Sequence, residues 1–293
     1  MTDTILVTGA SGQLGRGIVR HLLTTFGMEP GRIIAVTRDP AKLADLAEAG
    51  IAVRPGDFAD PGSLADAFRG ADKVLIISGA DIGQRLAQHK AAVEAATKAG
   101  ARRLAYTSMP NPEPGNAVIF APEHYGTEQA IKETGIPYTI FRNGWYQENL
   151  LMSLPQALAS GKWHTATGQG RVAHAARDDM AAAIAGALAS MEGESATYTL
   201  TGPEALTAEE IAARAGKALG RQVEVVHVSD DQLAEGMKQA GVPEAYIPML
   251  VSFDTNTRNG GIDLVSDDIR RLSGRAPAPI ETFFNANRTA LLG

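Results

Sequence analysis

Near the N-terminus, Ile5-Leu6-Val7-Thr8 runs straight into Gly9-Ala10-Ser11-Gly12-Gln13-Leu14-Gly15, and a segment with apolar residues at helical spacing follows. This strand–glycine turn–helix unit constrains the fold more than any other feature of the chain. The first glycine permits a tight turn, the second lets backbone approach a pyrophosphate, and the third lets helix and strand pack closely. The N-terminus of the helix then presents unpaired N–H groups to the anion. The spacing is G-x-x-G-x-x-G, and a plain tight turn would use the same residues. Context favours the phosphate loop, because the triplet sits in the first strand–turn–helix of an alternating segment.

That alternation continues through the first half. Strands are expected at Thr4–Thr8, Arg32–Thr37, Ile51–Arg54, Lys73–Ser78, Arg102–Thr107 and Tyr138–Arg142. Helical spacing fills the gaps at Gln13–Thr25, Asp60–Phe68, Ile82–Ala99 and Pro122–Thr134. The pattern predicts an α/β fold, a Rossmann-type doubly wound parallel sheet with right-handed crossovers. After about residue 145 the rhythm changes. Helices are expected at Asp178–Ser190, Thr207–Leu219, Asp230–Ala240 and Glu244–Phe253, with strands at Ala196–Thr201 and Gln222–Val228. Asn259–Gly261 and Gly274–Pro279 read as loops. Residues 1–150 are therefore expected to form the nucleotide-binding domain, with some later segments returning to it. Residues 151–293 are expected to form a smaller C-terminal α/β substrate-capping portion.

Composition narrows the chemistry. The 293 residues suit one large domain or two modest ones. The chain has no cysteine, which excludes thiol catalysis and thiolate metal sites. No two of the 6 histidines have metal-site spacing, so no metal is expected, and no G-x-S-x-G signals a hydrolase. A net charge of −6 argues against a nucleic-acid or anionic-membrane partner. The apolar stretch from Met180 to Met191 is too short to span a bilayer. The opening MTDTILVTG enters a strand without the regions of a signal peptide, so a cytoplasmic protein is expected. A homodimer is compatible with the sequence, which does not specify the oligomeric state.

The second strand ends Val36-Thr37-Arg38-Asp39-Pro40, with Lys42 nearby. A dinucleotide site for NAD places an acidic residue here, on the ribose 2′-OH. Arg38 stands instead where a 2′-phosphate would lie, and its fork suits phosphate bidentately. A contact of about 1.5–3 kcal/mol favours NADP(H) by roughly 10- to 100-fold. Asp39 can mimic the acidic residue, which leaves NAD(H) use open, and Arg38 can also pair with Asp39 or face solvent. Asp57, after the third strand, suits the adenine amino group or a plain turn.

With TGASGQLG, TRDPAK and GDFADPGSL in place, the chain resembles the NmrA-like branch of the atypical short-chain dehydrogenases/reductases. SGADIGQRLAQH and GIPYTIFRNGWYQEN sharpen the likeness towards its quinone- and triarylmethane-dye-reducing members. The resemblance implies that Gly9, Ala10, Ser11, Gly12, Gln13, Leu14 and Gly15 hold the pyrophosphate and Arg38 the 2′-phosphate. It implies that Asp57 and Phe58 flank the adenine, and that Ser78, Gly79 and Ala80 pass beneath the ribose. Asn143, Gly144, Trp145, Tyr146 and Glu148 would wrap the nicotinamide end, with Trp145 and Tyr146 facing the substrate. Core packing is the competing reading of these two aromatics.

The departure from the superfamily is equally informative. Where its members carry Y-x-x-x-K after the fifth strand, His124 and Glu128 stand at the Tyr and Lys positions, on one helix face. Tyr125 is one residue out of phase and points about 100° away. Alcohol and sugar chemistry needs a positioned acid for its alkoxide. A quinone becomes a delocalised oxyanion that water can protonate, and a triarylmethane cation needs no proton. His124 is expected to orient the acceptor at most, or simply to be a satisfied polar group beside Glu128. Ser108 either bonds the substrate or caps a turn. Arg177, Asp178 and Asp179 suit a helix N-terminus without further function. The expected activity is hydride transfer from NADPH to quinones or similar dyes, without flavin. The alternative is a non-catalytic NADP(H)-sensing regulator.

Overall fold

A computed structural model describes residues 3–190 and 193–293. Met1 and Thr2, which open the MTDTILVTG segment, and Met191, at the end of the apolar stretch, lie outside the described residues.

Seven strands form one parallel sheet in the order β3-β2-β1-β4-β5-β6-β8. They are β1 (Ile5–Val7), β2 (Ile33–Thr37), β3 (Ala52–Pro55), β4 (Lys73–Ile76), β5 (Arg103–Ser108), β6 (Tyr138–Asn143) and β8 (Ala196–Leu200). β1, β2, β4 and β5 are buried along their whole length. Covered on both faces, such strands are near-continuous apolar runs rather than alternating ones. The remaining strands, β7 (Lys162–Thr165) and β9 (Glu224–His227), pair in parallel as a separate two-stranded sheet.

The helices in chain order are α1 (Gln13–Thr24), α2 (Ala44–Glu48), α3 (Pro61–Phe68), α4 (Arg85–Lys98), α5 (Ala121–Glu133), α6 (Leu154–Ser160) and α7 (Arg177–Ser190). They continue with α8 (Ala208–Leu219), α9 (Asp230–Gln239), α10 (Ile247–Arg258), α11 (Asp268–Ser273), α12 (Ile280–Ala286) and α13 (Arg288–Leu292). On one face of the sheet, α1, α7 and α11 close a core around Ile18, Leu22, Ile184 and Ile269. On the other face, α3 and α4 cover Leu6, Val74 and Tyr106. A third core under α6, α8, α12 and α13 includes Leu154, Ile211 and Phe284. α7 is buried from Asp179 to Leu188, hydrophobic nearly all round, as expected of a helix enclosed by neighbours. Its small residues allow this approach: a Cβ on Gly186 would lie 2.1 Å from the Leu272 carbonyl oxygen.

In the first half α2 is not expected and α4 begins at Arg85 rather than Ile82; the larger differences from the sequence reading lie in the second half. β7 and α6 are not signalled by periodicity, and α10 runs on to Arg258 rather than ending at Phe253. β8 is the edge strand of the main sheet, paired with β6 from Thr139 to Asn143.

Candidate active site

β1 and β4 are neighbours whose chain connections run to opposite sides of the sheet. In open α/β sheets the ligand crevice opens at such a switch point, beyond the carboxyl ends of the strands. The glycine loop lies there. Gly9 adopts φ +58° and its carbonyl accepts from Gly12 N–H at 3.0 Å. A Cβ on Gly15 would stand 2.4 Å from the Gly9 carbonyl oxygen and 2.8 Å from Ala10 Cα. Only glycine fits this close contact of backbone with backbone. Ala10 N–H donates to the Val36 carbonyl at 3.1 Å, and the hydroxyls of Ser11 and Thr37 share a hydrogen bond of 2.8 Å. α1 then begins at Gly12 without a side-chain cap and without an acidic residue in its first turn. The N–H groups around Gln13 and Leu14 are therefore free for an anion.

Arg38 is exposed at the end of β2 and makes no hydrogen bond or ion pair among the described residues. Asp39 does not hold it. Asp39 caps the following turn at Ala41 N–H and stands 3.9 Å from Lys42. Asp57 behaves as a turn residue, accepting from Ala59 N–H at 3.0 Å, while Phe58 packs against the second core and edge-on to His89. Ser78 and Gly79 follow β4 with their N–H groups donated to Thr107 Oγ1 (2.9 Å) and His89 Nε2 (3.0 Å). Ala80 beyond them is exposed.

At the end of β6, Asn143 is 9% exposed, and its Oδ1 has no partner among the described residues. Its Nδ2 donates to the Tyr146 hydroxyl at 3.3 Å. A buried acceptor without a donor suits a carboxamide such as that of nicotinamide. The cradle at Gly12 and Gly15, the unpaired Arg38 and this orphaned oxygen fit NADPH together. Gly144 lies against β8, where a Cβ would stand 2.9 Å from the Leu200 carbonyl oxygen.

Trp145 and Tyr146 point to opposite sides, as successive residues of extended chain must. Trp145 meets Phe253 of α10 edge to face, with ring centroids 4.4 Å apart. Phe253 meets Phe120 at 5.7 Å, and Phe120 meets His124 at 5.6 Å. Neither Phe120 nor Phe253 is marked by any sequence motif. Tyr146 turns instead towards the glycine loop, beneath the guanidinium of Arg177 at 4.8 Å, and Arg177 bonds Gln13 Oε1. The Tyr146 hydroxyl accepts from Asn143, so Tyr146 stands at the cofactor side and not against the Phe253 ring that Trp145 meets. Glu148 differs from expectation: both its oxygens accept from the Arg177 N–H at 3.1 Å, which spends its carboxylate on the N-terminus of α7.

His124 and Glu128 do not act as a pair. Glu128, fully buried, takes Arg142 Nε at 3.0 Å and Nη2 at 2.8 Å. Ser108, which neither caps a turn nor faces open space, donates to Glu128 Oε1 at 2.7 Å. His124 lies in a different network. Its Nε2 is 3.1 Å from Arg85 Nη1, and its Nδ1 is 2.8 Å from the Tyr106 hydroxyl. Arginine only donates, so Nε2 must accept and the ring proton must sit on Nδ1, directed at Tyr106. His89 is locked the same way. Gly79 N–H donates to its Nε2, so its proton lies on Nδ1, 3.0 Å from Thr127 Oγ1. Burial first, and the Arg85 charge second, hold both imidazoles neutral, His89 with a pKa of about 3 and His124 well below the ordinary value. Burial pushes the Tyr106 phenol upward.

The sheet topology, the glycine loop and the free arginine define the class, a doubly wound α/β protein built to hold a phosphorylated dinucleotide. The chain belongs to the NmrA-like family, whose profile matches residues 1–284. It is 38% identical to quinone oxidoreductase 2 of Escherichia coli over 278 residues, 95% of each chain. The crystal structure of an NADPH-dependent quinone oxidoreductase from Escherichia coli, complexed with NADPH, matches with a TM-score of 0.91 at 36% identity, over 97% of this chain and 99% of that one. The triphenylmethane reductase of Citrobacter sp., complexed with NADP(H), matches with a TM-score of 0.90 at 33% identity, over 97% of this chain and all of that one. No helix among the described residues is long and apolar enough to cross a membrane.

Proposed function

We propose that this protein is a flavin-free oxidoreductase that passes hydride from NADPH to quinones and similar electron-poor conjugated acceptors in the cytoplasm. One observation carries the reading. An aromatic wall of Trp145, Phe253 and Phe120 stands at the carboxyl end of the sheet, while both groups at the usual acid positions are committed to other partners, His124 to Arg85 and Tyr106 and Glu128 to Arg142 and Ser108. Bound NADPH would supply the hydride. The chain supplies the rest. The loop from Gly9 to Gly15 and Arg38 would hold the phosphates, and Asn143 would orient the carboxamide. Trp145, Phe253 and Phe120 would stack on a flat acceptor and exclude water. Because His124 keeps its single ring proton on Tyr106, the product anion is left to delocalise and to take its proton from water.

The relatives support this assignment: the named activities are quinone and triphenylmethane reduction, and the named cofactor is NADPH. The test is loss of NADPH absorbance with a panel of benzoquinones, naphthoquinones and triarylmethane dyes. Acceleration by at least one class is expected. Tight NADPH binding with no acceptor active would replace this reading with that of an NADP(H)-sensing regulator.

A further inference from the structure

Arg85 is the first residue of α4, yet it is only 6% exposed. It forms no ion pair among the described residues, and its Nε has no hydrogen-bond partner. The charges of Glu123 and Asp81 act on it without forming an ion pair; Glu123 spends one oxygen on Gly83 N–H at 2.9 Å, and its other oxygen is also unpartnered. A buried guanidinium without an ion pair costs stability. Its position in the first turn of α4 adds to that cost, because a helix N-terminus repels a cation. Its Nη1 donates to His124 Nε2 at 3.1 Å, and its guanidinium lies 4.7 Å from the ring centroid of Phe120, the residue that precedes α5.

Such an arrangement makes sense where negative charge develops nearby. Hydride transfer from NADPH to a neutral quinone leaves NADP⁺ and a hydroquinone anion, which water then protonates. Hydride transfer to a triarylmethane cation leaves NADP⁺ and a neutral leuco dye. A positive potential behind the wall assists the first and opposes binding of the second.

We propose that Arg85 is a specificity-determining residue. Its buried, unpaired guanidinium behind Phe120, in the first turn of α4, favours acceptors that become anions on reduction over acceptors that arrive as cations. The inference rests on reading the Trp145–Phe253–Phe120 wall as the acceptor site.

Equilibrium dialysis of the full chain saturated with NADP⁺ tests it without turnover. Three probes are compared: 2-hydroxy-1,4-naphthoquinone, an anion at neutral pH, then neutral 1,4-naphthoquinone, and the cation crystal violet. The wild type should bind the anion more tightly than its neutral analogue. Arg85→Met should weaken the anion about 3- to 30-fold, leave the neutral quinone within about twofold, and tighten crystal violet. Arg85→Lys should restore the anion, because it returns the charge. Arg85→Gln tests the charge independently if Arg85→Met does not fold. Parallel movement of all three probes, or a wild type that binds the anion no better than the neutral quinone, would overturn the proposal. Failure of the wild type to oxidise NADPH with 1,4-naphthoquinone would overturn the reductase reading alone, since dialysis uses the oxidised cofactor.

Discussion

The indole of Trp145 and the ring of Phe253 meet edge to face at 4.4 Å, joining the end of β6 to α10 in the C-terminal portion. This contact would form one side of the proposed acceptor site. Such a pair contributes about 0.5–1.5 kcal/mol beyond the burial of its area. Phe253→Ala should therefore raise KM for 1,4-naphthoquinone about 3- to 10-fold and leave the Kd for NADPH unchanged. Steady-state kinetics with a parallel NADPH titration would decide. Equal loss on both sides would mean that Phe253 holds the two parts of the chain together instead.

How much of this was legible beforehand depends on the range of the interactions concerned. β1 and its glycine loop could be read because both signals are local: a buried parallel strand is an apolar run, and Gly15 answers to residues only five and six positions back. β7 could not. Lys162-Trp163-His164-Thr165 carries no alternation, and it is a strand because β9 pairs with it in register from Glu224 to His227. Phe120 and Phe253 look like ordinary core residues until folding brings them within 5.7 Å. Helical spacing correctly puts His124 and Glu128 on one face of α5, yet it says nothing of the neighbours that separate their roles. Arg85 comes from α4 and Arg142 from β6, and each claims one of the two.

Arg38 governs cofactor choice in the next prediction. It has no competing partner among the described residues, so its removal disturbs no other contact. Arg38→Ala should weaken NADPH by about 1.5–3 kcal/mol, some 10- to 100-fold, and leave NADH nearly unchanged. Fluorescence titration with both nucleotides measures this directly. Equal losses for the two would remove Arg38 from the 2′-phosphate.

Gly15 separates a structural glycine from an incidental one. An alanine there places a methyl 2.4 Å from the Gly9 carbonyl oxygen, and backbone cannot rotate aside as a side chain does. The loop must open, at a cost of about 1–3 kcal/mol in stability. NADPH affinity should fall more than tenfold, because the N–H groups no longer converge. A methyl on Gly31 would meet nothing within 4 Å, so Gly31→Ala serves as a matched control that should change neither quantity. An unaltered NADPH titration for Gly15→Ala would refute the close-approach argument.

His124 offers a chemical prediction. Its one ring proton is committed to Tyr106 and its free lone pair to Arg85, so it has nothing to give an acceptor. A true general acid contributes about 10²- to 10⁴-fold. His124→Ala should lower kcat/KM for a quinone by less than about tenfold, and less still for a triarylmethane cation. The pH–rate profile should show no limb near a histidine pKa of about 6.5. A hundredfold loss with such a limb would make His124 an acid and return simple carbonyl substrates to contention.

The same buried imidazoles make stability depend on pH, with a sign that can be worked out. Burial lowers the pKa of His89 to about 3 and of His174 to about 4, and holds His124 well below the ordinary value. In the unfolded chain each titrates near about 6.5, so below that pH the unfolded state binds more protons. The contribution is complete above about pH 6.5 and is lost as pH falls towards the folded values. Each group can withdraw up to about 2 kcal/mol between pH 7 and pH 5. Two carboxyls raised by burial, Asp179 and Asp254, act with the opposite sign, between their raised folded values and the ordinary carboxylate range. Urea unfolding at pH 7 and pH 5 should therefore show a clear fall in midpoint at constant slope. His89→Gln keeps an acceptor for Gly79 N–H without a titrating ring, so it should shrink the difference between the two pH values. An identical midpoint at both, for the wild type, would show that these histidines are not held neutral.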